Sequence, residues 1–207
     1  MTMTTVMLAL KARTFWFGET LTDATAISGR HSFWFGPDPA RDREMARDWV
    51  EPVEDAFAGR LDRMGDSATG RLSLILLLDQ FPRNIYRGEP RAFAKDGRAR
   101  YLMRDGMSRL MDMALSPIER CFFYMPLQHS EFLEDQESSV ARYQQLLREV
   151  DTELRPVYAK FLESARTHRD IIARFGRFPH RNAILGRLDT PEETAYLESG
   201  APRFGTG

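Results

Sequence analysis

The chain has 207 residues, of which 43% are hydrophobic and 11% are aromatic, which is enough to build a packed core and too many for a disordered tail. The 29 Lys and Arg residues are balanced by 30 Asp and Glu residues, and this formal net charge of −1 argues against a general nucleic-acid-binding protein. The single cysteine, Cys121, excludes an internal disulfide and a cysteine-rich zinc site, and its apolar neighbours indicate a small core residue.

The N-terminal segment MTMTTVMLALKARTFWFG contains a short apolar patch, with no basic region before it and no small-residue cleavage site after it. The longest unbroken apolar run, LILLL at 74–78, is too short to span a bilayer. We therefore expect a cytoplasmic protein that does not insert into membranes. The FWFG motifs at 15–18 and 33–36 are interpreted as aromatic anchors that hold the first helix against the body.

Helical periodicity dominates the next part of the chain. In the segment 38–61, large apolar residues recur at four-residue steps on one helical face, namely Met45, Trp49, Val53 and Phe57. Pro52 predicts an end or kink of this helix near Glu51. The segment SATGRLSLILLLDQF predicts a buried central helix rather than a strand, because Ile75 is the only β-branched residue among its leucines.

Two helix starts carry strong local signals. SPIE at 116–119 and TPEE at 190–193 each place a hydroxyl residue at the cap, Pro at the first helical position and Glu three residues after the cap. No alternating strand pair or Asn-Gly hairpin turn is found. The chain is therefore predicted to form one all-α domain over residues 1–207, an array of antiparallel helical hairpins, with a loose tail at 197–207.

One motif occurs twice. FPRNIYRG at 81–88 and FPHRNAILGR at 178–187 share a Phe-Pro start, an Arg-Asn pair, an isoleucine and a Gly next to Arg. Each is predicted to form a sharp corner, at which backbone N–H groups and cations converge on an anion site. The alternative is structural, because Asp79 and Arg83, like Asp170 and Arg174, have the four-residue spacing of helical ion pairs.

The histidines His129, His168 and His180 lie in polar clusters, and Pro126 predicts a helix kink just before His129. Their spacing to neighbouring acids gives no Glu-x-x-His pair or other chelating pattern, so no metal site and no cofactor are predicted. Neither a Gly-x-Ser-x-Gly elbow nor a glycine-rich phosphate loop is present. A histidine–carboxylate acid-base pair remains conceivable.

Three ordered blocks carry a family resemblance: LILLLDQFPRNIYRG, YMPLQHSE with DQ following, and HRDIIARFGRFPHRNAILGR. From about Phe15 to Leu197 the chain resembles an uncharacterised bacterial family, domain-of-unknown-function family 924. The resemblance implies a tetratricopeptide-repeat-like α-α superhelix, although no 34-residue consensus repeat is visible. It implies no settled activity and no catalytic residues.

Three functional hypotheses follow. The first is a binding module whose polar cleft takes a small anionic ligand or an acidic peptide end, with no nucleic-acid or membrane partner. The second is a hydrolase-like or metal-dependent enzyme with His129 or His180 as acid-base, and the third is a purely structural ion-pair network in an interaction protein. The sequence does not decide whether the protein is an enzyme, nor its oligomeric state. The candidate ligand-binding residues are Asp79, Arg83, Asn84, Arg87, His129, Glu131, Asp135, His168, Asp170, Arg174, Arg177, His180, Arg181 and Asn182.

Overall fold

The computed structural model describes residues 4–18, 23–202 and Phe204. These residues form helices and connecting turns with no β-strand, which confirms the predicted all-α class. The superhelical arrangement implied by the family resemblance stays a prediction. The α-helices are α1 (Thr5–Phe17), α2 (Ala24–Phe35), α3 (Pro39–Phe57), α4 (Ala68–Ile75), α5 (Phe81–Ile85), α6 (Asp96–Ser108), α7 (Pro117–Phe123), α8 (Met125–Gln128), α9 (Leu133–Glu149), α10 (Arg155–Phe175) and α11 (Pro191–Glu198). Short 3-10 helices lie at Asp62–Asp66, Pro90–Phe93, Asp112–Ala114 and Pro179–Arg181.

The two FWFG motifs end α1 and α2 and pack against each other. The ring of Phe33 meets the rings of Phe15 and Trp16 edge-on, with centroids 5.6 and 5.7 Å apart. The indole N–H of Trp34 donates a 2.9 Å hydrogen bond to the backbone carbonyl of Trp16. This aromatic cluster fixes α1 against α2, so the predicted anchoring role is confirmed.

The predicted apolar face of α3 is buried, as expected from its spacing. The predicted end of this helix near Glu51 is wrong, because α3 runs without interruption to Phe57, and the alternative of a kink at Pro52 stays a prediction. Burial of Val53 and Phe57 beyond the proline explains the continuation. Packing of these side chains offsets the backbone hydrogen bond that proline cannot donate.

The central helix contains a widened turn. Helix α4 passes into a π-helical segment, Leu76–Gln80, and then directly into α5, so the chain is helical from Ala68 to Ile85. The Phe81 N–H bonds the carbonyl of Leu76, five residues earlier. The corner predicted at FPRN is therefore wrong: the wide turn accommodates Pro82 without breaking the helix. The π segment includes Asp79, which it carries into the interior.

The helix starts predicted from a capping box with proline in the first turn are confirmed. Ser116 and Glu119 form the capping box of α7, and Thr190 and Glu193 form that of α11. The predicted kink at Pro126 is wrong, because α7 ends at Phe123 and the proline lies in the first turn of a separate helix, α8. A first-turn proline lacks only an N–H that has no helical partner.

Helices α9 and α10 pack against each other, and the chain then makes the corner predicted at FPHRN. Helix α10 stops at Gly176, whose φ of 69° is in the left-handed region that glycine adopts readily. Phe178 is extended, and the 3-10 helix Pro179–Arg181 follows. Residues 197 and 198 of the predicted loose tail still belong to α11, and Arg203 and residues 205–207 lie outside the described residues.

The main hydrophobic core extends along the chain from Leu8 to Ala165, and a smaller cluster holds Ile171, Ile172 and Phe178. Cys121 is fully buried in the main core, as predicted, and burial raises the pKa of its thiol well above the ordinary value. No helix in the described part of the chain combines the length and apolar character needed to cross a membrane.

Candidate functional site

Two adjoining cavities, of about 350 and 60 Å³, lie where α2, the π segment with α5, α8 and α10 approach one another. The basic and imidazole side chains lining the larger cavity are His31, Arg83, Arg87, His129, Lys160 and His168. Its aromatic lining comes from Trp34, Phe35, Phe161 and Phe204. No Asp or Glu among the described residues lines either cavity.

The buried carboxylate of Asp79 contacts His129, one of the histidines that line the cavity. Asp79 is fully buried, and its oxygens lie 2.8 and 3.0 Å from Nδ1 of His129. Gln80 also donates to this carboxylate through its side-chain amide. Although burial opposes ionisation, Arg83 and His129 together keep the pKa of Asp79 well below its ordinary value. The group is therefore an anion that can only accept hydrogen bonds.

Arg83 links this carboxylate to a second one. Its Nη1 lies 3.2 Å from Asp79 Oδ1, as the four-residue spacing predicts, and its two terminal nitrogens donate to Asp96 at 3.0 and 2.8 Å. Arg181 Nη1 lies 3.4 Å from the same Asp96 and donates a 3.1 Å bond to the backbone carbonyl of His129. The FPRN and FPHRN motifs are thus joined through Asp96, which the sequence analysis did not single out.

Arg181 is held between aromatic rings rather than free in solvent. Its guanidinium lies 4.7 Å from the Phe93 ring centroid and 4.5 Å from that of Phe178. Burial, and then the charge of Arg83, lower its pKa to about 10 against the attraction of Asp96, so Arg181 remains charged at neutral pH. Arg181 lines the smaller cavity, and its ring contacts and ion pair give it a structural role as well.

Arg87 and Asn84 extend the cationic wall of the larger cavity. Arg87 makes a two-pronged ion pair with Asp42 at 2.7 and 3.1 Å and donates to Asn84 Oδ1 at 3.2 Å. Asn84 in turn donates to the Gln80 carbonyl at 3.1 Å. This chain of contacts orients the Arg87 side chain along the cavity wall.

The remaining two candidate histidines both contact the ring of Phe204, His168 in a tilted arrangement and His180 edge-on. The ring centroids of His168 and Phe204 are 3.8 Å apart, and those of His180 and Phe204 are 5.2 Å apart. His168 Nδ1 lies 2.8 Å from the backbone carbonyl of Ser164. Burial lowers the pKa of His180 to about 3 and that of His168 well below its ordinary value, so both imidazoles are neutral at pH 7.

The other predicted site residues lie away from the cavities and hold helices together. Glu131 pairs with Arg187, and Asp135 accepts hydrogen bonds or ion pairs from Ser130, Arg100 and Arg104. Asn182 donates to Asp189 at 2.6 Å.

The predicted Asp170–Arg174 ion pair is wrong. Asp170 pairs with its neighbour Arg169, and Arg174 pairs with Glu192 of α11. Arg177 makes a two-pronged pair with Glu193, both contacts at 2.6 Å. These arginines of α10 and the following turn fasten α11 to the body.

Several cavity residues were missed from sequence. His31 and Lys160 lie 129 residues apart along the chain, and each lines the larger cavity from a different helix. Gln80 and Gln128 supply amide groups, and the only local signal for them is that each adjoins a predicted site residue, Asp79 or His129. In the part of the chain that the structure describes, no three His, Cys, Asp or Glu residues are grouped to hold a metal ion.

Comparison with known proteins gives a family without an assigned activity. The model of a bacterial protein family of unknown function, DUF924, matches residues 12–201. The chain belongs to the DUF924 family. A solved structure, that of the protein of unknown function ATU0120 from Agrobacterium tumefaciens, is 36% identical, with a TM-score of 0.80 over 95% of this chain and all of that one. A search of curated proteins finds no match.

Proposed function

We propose that this DUF924 protein binds a small organic anion in the larger cavity. The observation that carries the proposal is the composition of the lining, which includes Arg83, Arg87 and Lys160 and, within the described residues, no carboxylate. Guanidinium and ammonium groups that face a cavity without acids favour carboxylate or phosphate ligands.

The placement of the counter-ions supports the same function. The acids that pair with Arg83 and Arg87, namely Asp79, Asp96 and Asp42, do not line the cavity. These ion pairs hold the two guanidinium groups at the cavity, and a guanidinium carries five N–H donors in a fixed fork. Lys160 is exposed at the cavity and has no carboxylate partner among the described residues.

The volume and the apolar lining of the larger cavity limit the class of ligand that it can hold. A volume of about 350 Å³ lies at the lower end of the range for small-molecule sites, roughly 300–1,000 Å³. Trp34, Phe35 and Phe161 add apolar surface to the lining of the same cavity. A metabolite-sized acid or phosphate, or the carboxylate end of a peptide, fits this combination.

The test is isothermal titration calorimetry with carboxylates, phosphates and C-terminal peptides, each beside its neutral amide or alcohol analogue. We expect an anion to bind and its neutral analogue not to bind. Lys160→Gln should weaken binding by roughly tenfold, about 1.4 kcal/mol, without altering the melting temperature. Lys95→Gln is the matched control, because Lys95 lies over the Phe57 ring and does not line the cavity. Equal binding of neutral analogues, or no binding by any anion, would contradict the proposal.

A hydrolytic enzyme is the second candidate, and the Asp79–His129 pair favours it. A buried carboxylate that orients a histidine beside arginines is an arrangement that general-base catalysis uses. Hydrolysis of p-nitrophenyl acetate and p-nitrophenyl phosphate would be followed for the native chain and for His129→Gln. A native rate that His129→Gln lowers by roughly 10²- to 10⁴-fold supports an enzyme. A background rate that the substitution leaves unchanged argues for binding alone.

A further inference from the structure

The hydrogen bonds behind the cavity determine which histidine nitrogens a ligand meets. An ionised carboxylate only accepts, so the short contact between Asp79 and His129 requires the proton to be on Nδ1. Nε2 of His129 has no hydrogen-bond partner among the described residues, and His129 lines both cavities. In the neutral imidazole that nitrogen carries no proton and accepts hydrogen bonds.

His168 is fixed in the same tautomer by a different partner. The Ser164 carbonyl also only accepts, so the 2.8 Å contact places the His168 proton on Nδ1. Its Nε2 is likewise without a described partner, and His168 also lines both cavities. The two rings are near neighbours, with centroids 6.4 Å apart.

Burial favours the neutral form of both imidazoles. Burial, followed by the charge of Arg83, lowers the pKa of His129 against the opposing pull of Asp79. Burial lowers the pKa of His168 further. The cavity therefore combines two neutral acceptors with the cationic donors Arg83 and Arg87, which line the same two cavities.

We propose that the ligand of this cavity is a hydroxylated organic anion, a hydroxy acid or a hydroxylated phosphate ester. This inference rests on the proposed anion-binding function. The anionic group pairs with Arg83 and Arg87, and ligand hydroxyl groups donate to Nε2 of His129 and of His168. An ammonium donor is disfavoured, because Arg83, Arg87 and Lys160 face the cavity and no described carboxylate does. Asp79 is then a positioning residue that sets the His129 tautomer.

The first test needs no ligand. Long-range ¹H–¹⁵N correlation spectra of the full chain at pH 7 report which imidazole nitrogens carry protons, and His129→Gln and His168→Gln assign the signals. We expect bare Nε2 and protonated Nδ1 in both rings. Protonated Nε2 in His129 or His168, whether from the other tautomer or from the imidazolium, would overturn the inference.

The second test uses pairs of anions that differ by one hydroxyl group: malate with succinate, and glycerol 3-phosphate with propyl phosphate. The hydroxylated member of the carboxylate or the phosphate pair should bind at least tenfold more tightly in isothermal titration. His168→Phe keeps a ring against Phe178 and Phe204 but removes the acceptor, so it should reduce that preference severalfold. Tyr101→Phe, an exposed position that lines neither cavity, is the control and should retain the preference.

The outcomes separate this inference from the function on which it rests. If both members of a pair bind alike, anion binding stands and the hydroxyl inference falls. If none of the four compounds binds, the anion-binding proposal loses its support and the inference is overturned with it. A preference that persists in His168→Phe and in His129→Gln would refute the assignment of these acceptors. The pair with the stronger preference identifies the ligand as a carboxylate or a phosphate.

Discussion

Arg83 is the residue whose removal most directly tests how the buried charges are held. The substitution Arg83→Ala leaves the fully buried Asp79 carboxylate without its cationic partner and removes both hydrogen bonds to Asp96. Removing one member of a buried pair costs roughly 3–5 kcal/mol, since the remaining charge stays desolvated. For a domain of this length that loss corresponds to a fall in melting temperature of about 6–20 °C.

The assay is urea unfolding together with calorimetric melting. Arg174→Ala is the matched control, because its pair with Glu192 is solvent-exposed, with side-chain exposures of 53% and 61%. Such surface pairs contribute about 0–1 kcal/mol. The double variant Arg83→Ala/Asp79→Asn should be more stable than Arg83→Ala, since it removes the unpaired charge. If Arg83→Ala were as mild as Arg174→Ala, or if Asp79→Asn gave no recovery, the reasoning from buried charge would be refuted.

Three further predictions concern the histidines, a close contact and the thiol. Folding depresses the pKa of His180 from 6.5 to about 3 and that of His168 well below its ordinary value, whereas the unfolded chain binds these protons near pH 6.5. The free energy of unfolding should therefore fall as the pH drops below about 6.5, by up to about 1.4 kcal/mol per pH unit for each histidine. Urea unfolding midpoints that do not change between pH 7 and pH 5 would contradict this prediction. Gly106→Ala should cost about 1–3 kcal/mol in urea unfolding, because its Cβ would lie 2.7 Å from Cζ of Phe123, and an unchanged stability would refute the close packing. Cys121, fully buried with a raised thiol pKa, should react with a thiol reagent such as DTNB only as fast as the chain unfolds, and rapid labelling in native buffer would argue against its burial.

Local chemistry explains why several elements could be predicted from sequence. The capping boxes at Ser116 and Thr190 depend on side-chain and backbone groups within four residues, so their signal is complete in the sequence. The buried face of α3 follows in the same way from helical periodicity. Such features need no knowledge of what packs against them.

The predicted helix end at Pro52 and the predicted corner at Pro82 failed because their outcome depends on neighbours that are distant in sequence. Pro52 stays inside a helix because the side chains after it are buried against other elements. Pro82 stays inside because a π turn precedes it, and nothing in the LLLDQ segment itself indicates that widening. Steric rules for proline describe an isolated helix, and tertiary packing changed the result at both positions.

The candidate site was predictable in its residue types and less so in its partners. Arg83 and Arg181 do meet across about a hundred residues, but they meet through Asp96, a residue with no distinguishing local pattern. Arg174 pairs with Glu192 of the later helix α11 and not with Asp170, the acid four residues before it. Spacing along one helix ranks ion pairs by proximity in sequence, whereas the fold offers acids from other helices at equal distance.

The cationic residues around the FPRN and FPHRN motifs divide between two roles rather than sharing one. Arg174 and Arg177 pair with acids of α11, outside the cavities, and their loss would loosen that helix. Arg83 and Arg181 satisfy buried or half-buried partners and also line cavity space, so we expect their substitution to lower both the stability and the proposed anion binding. Lys160 has no such structural partner in the described chain. Substitution of Lys160 therefore tests the proposed ligand binding separately from folding. Substitution of the arginines alone cannot do this, because it changes stability as well.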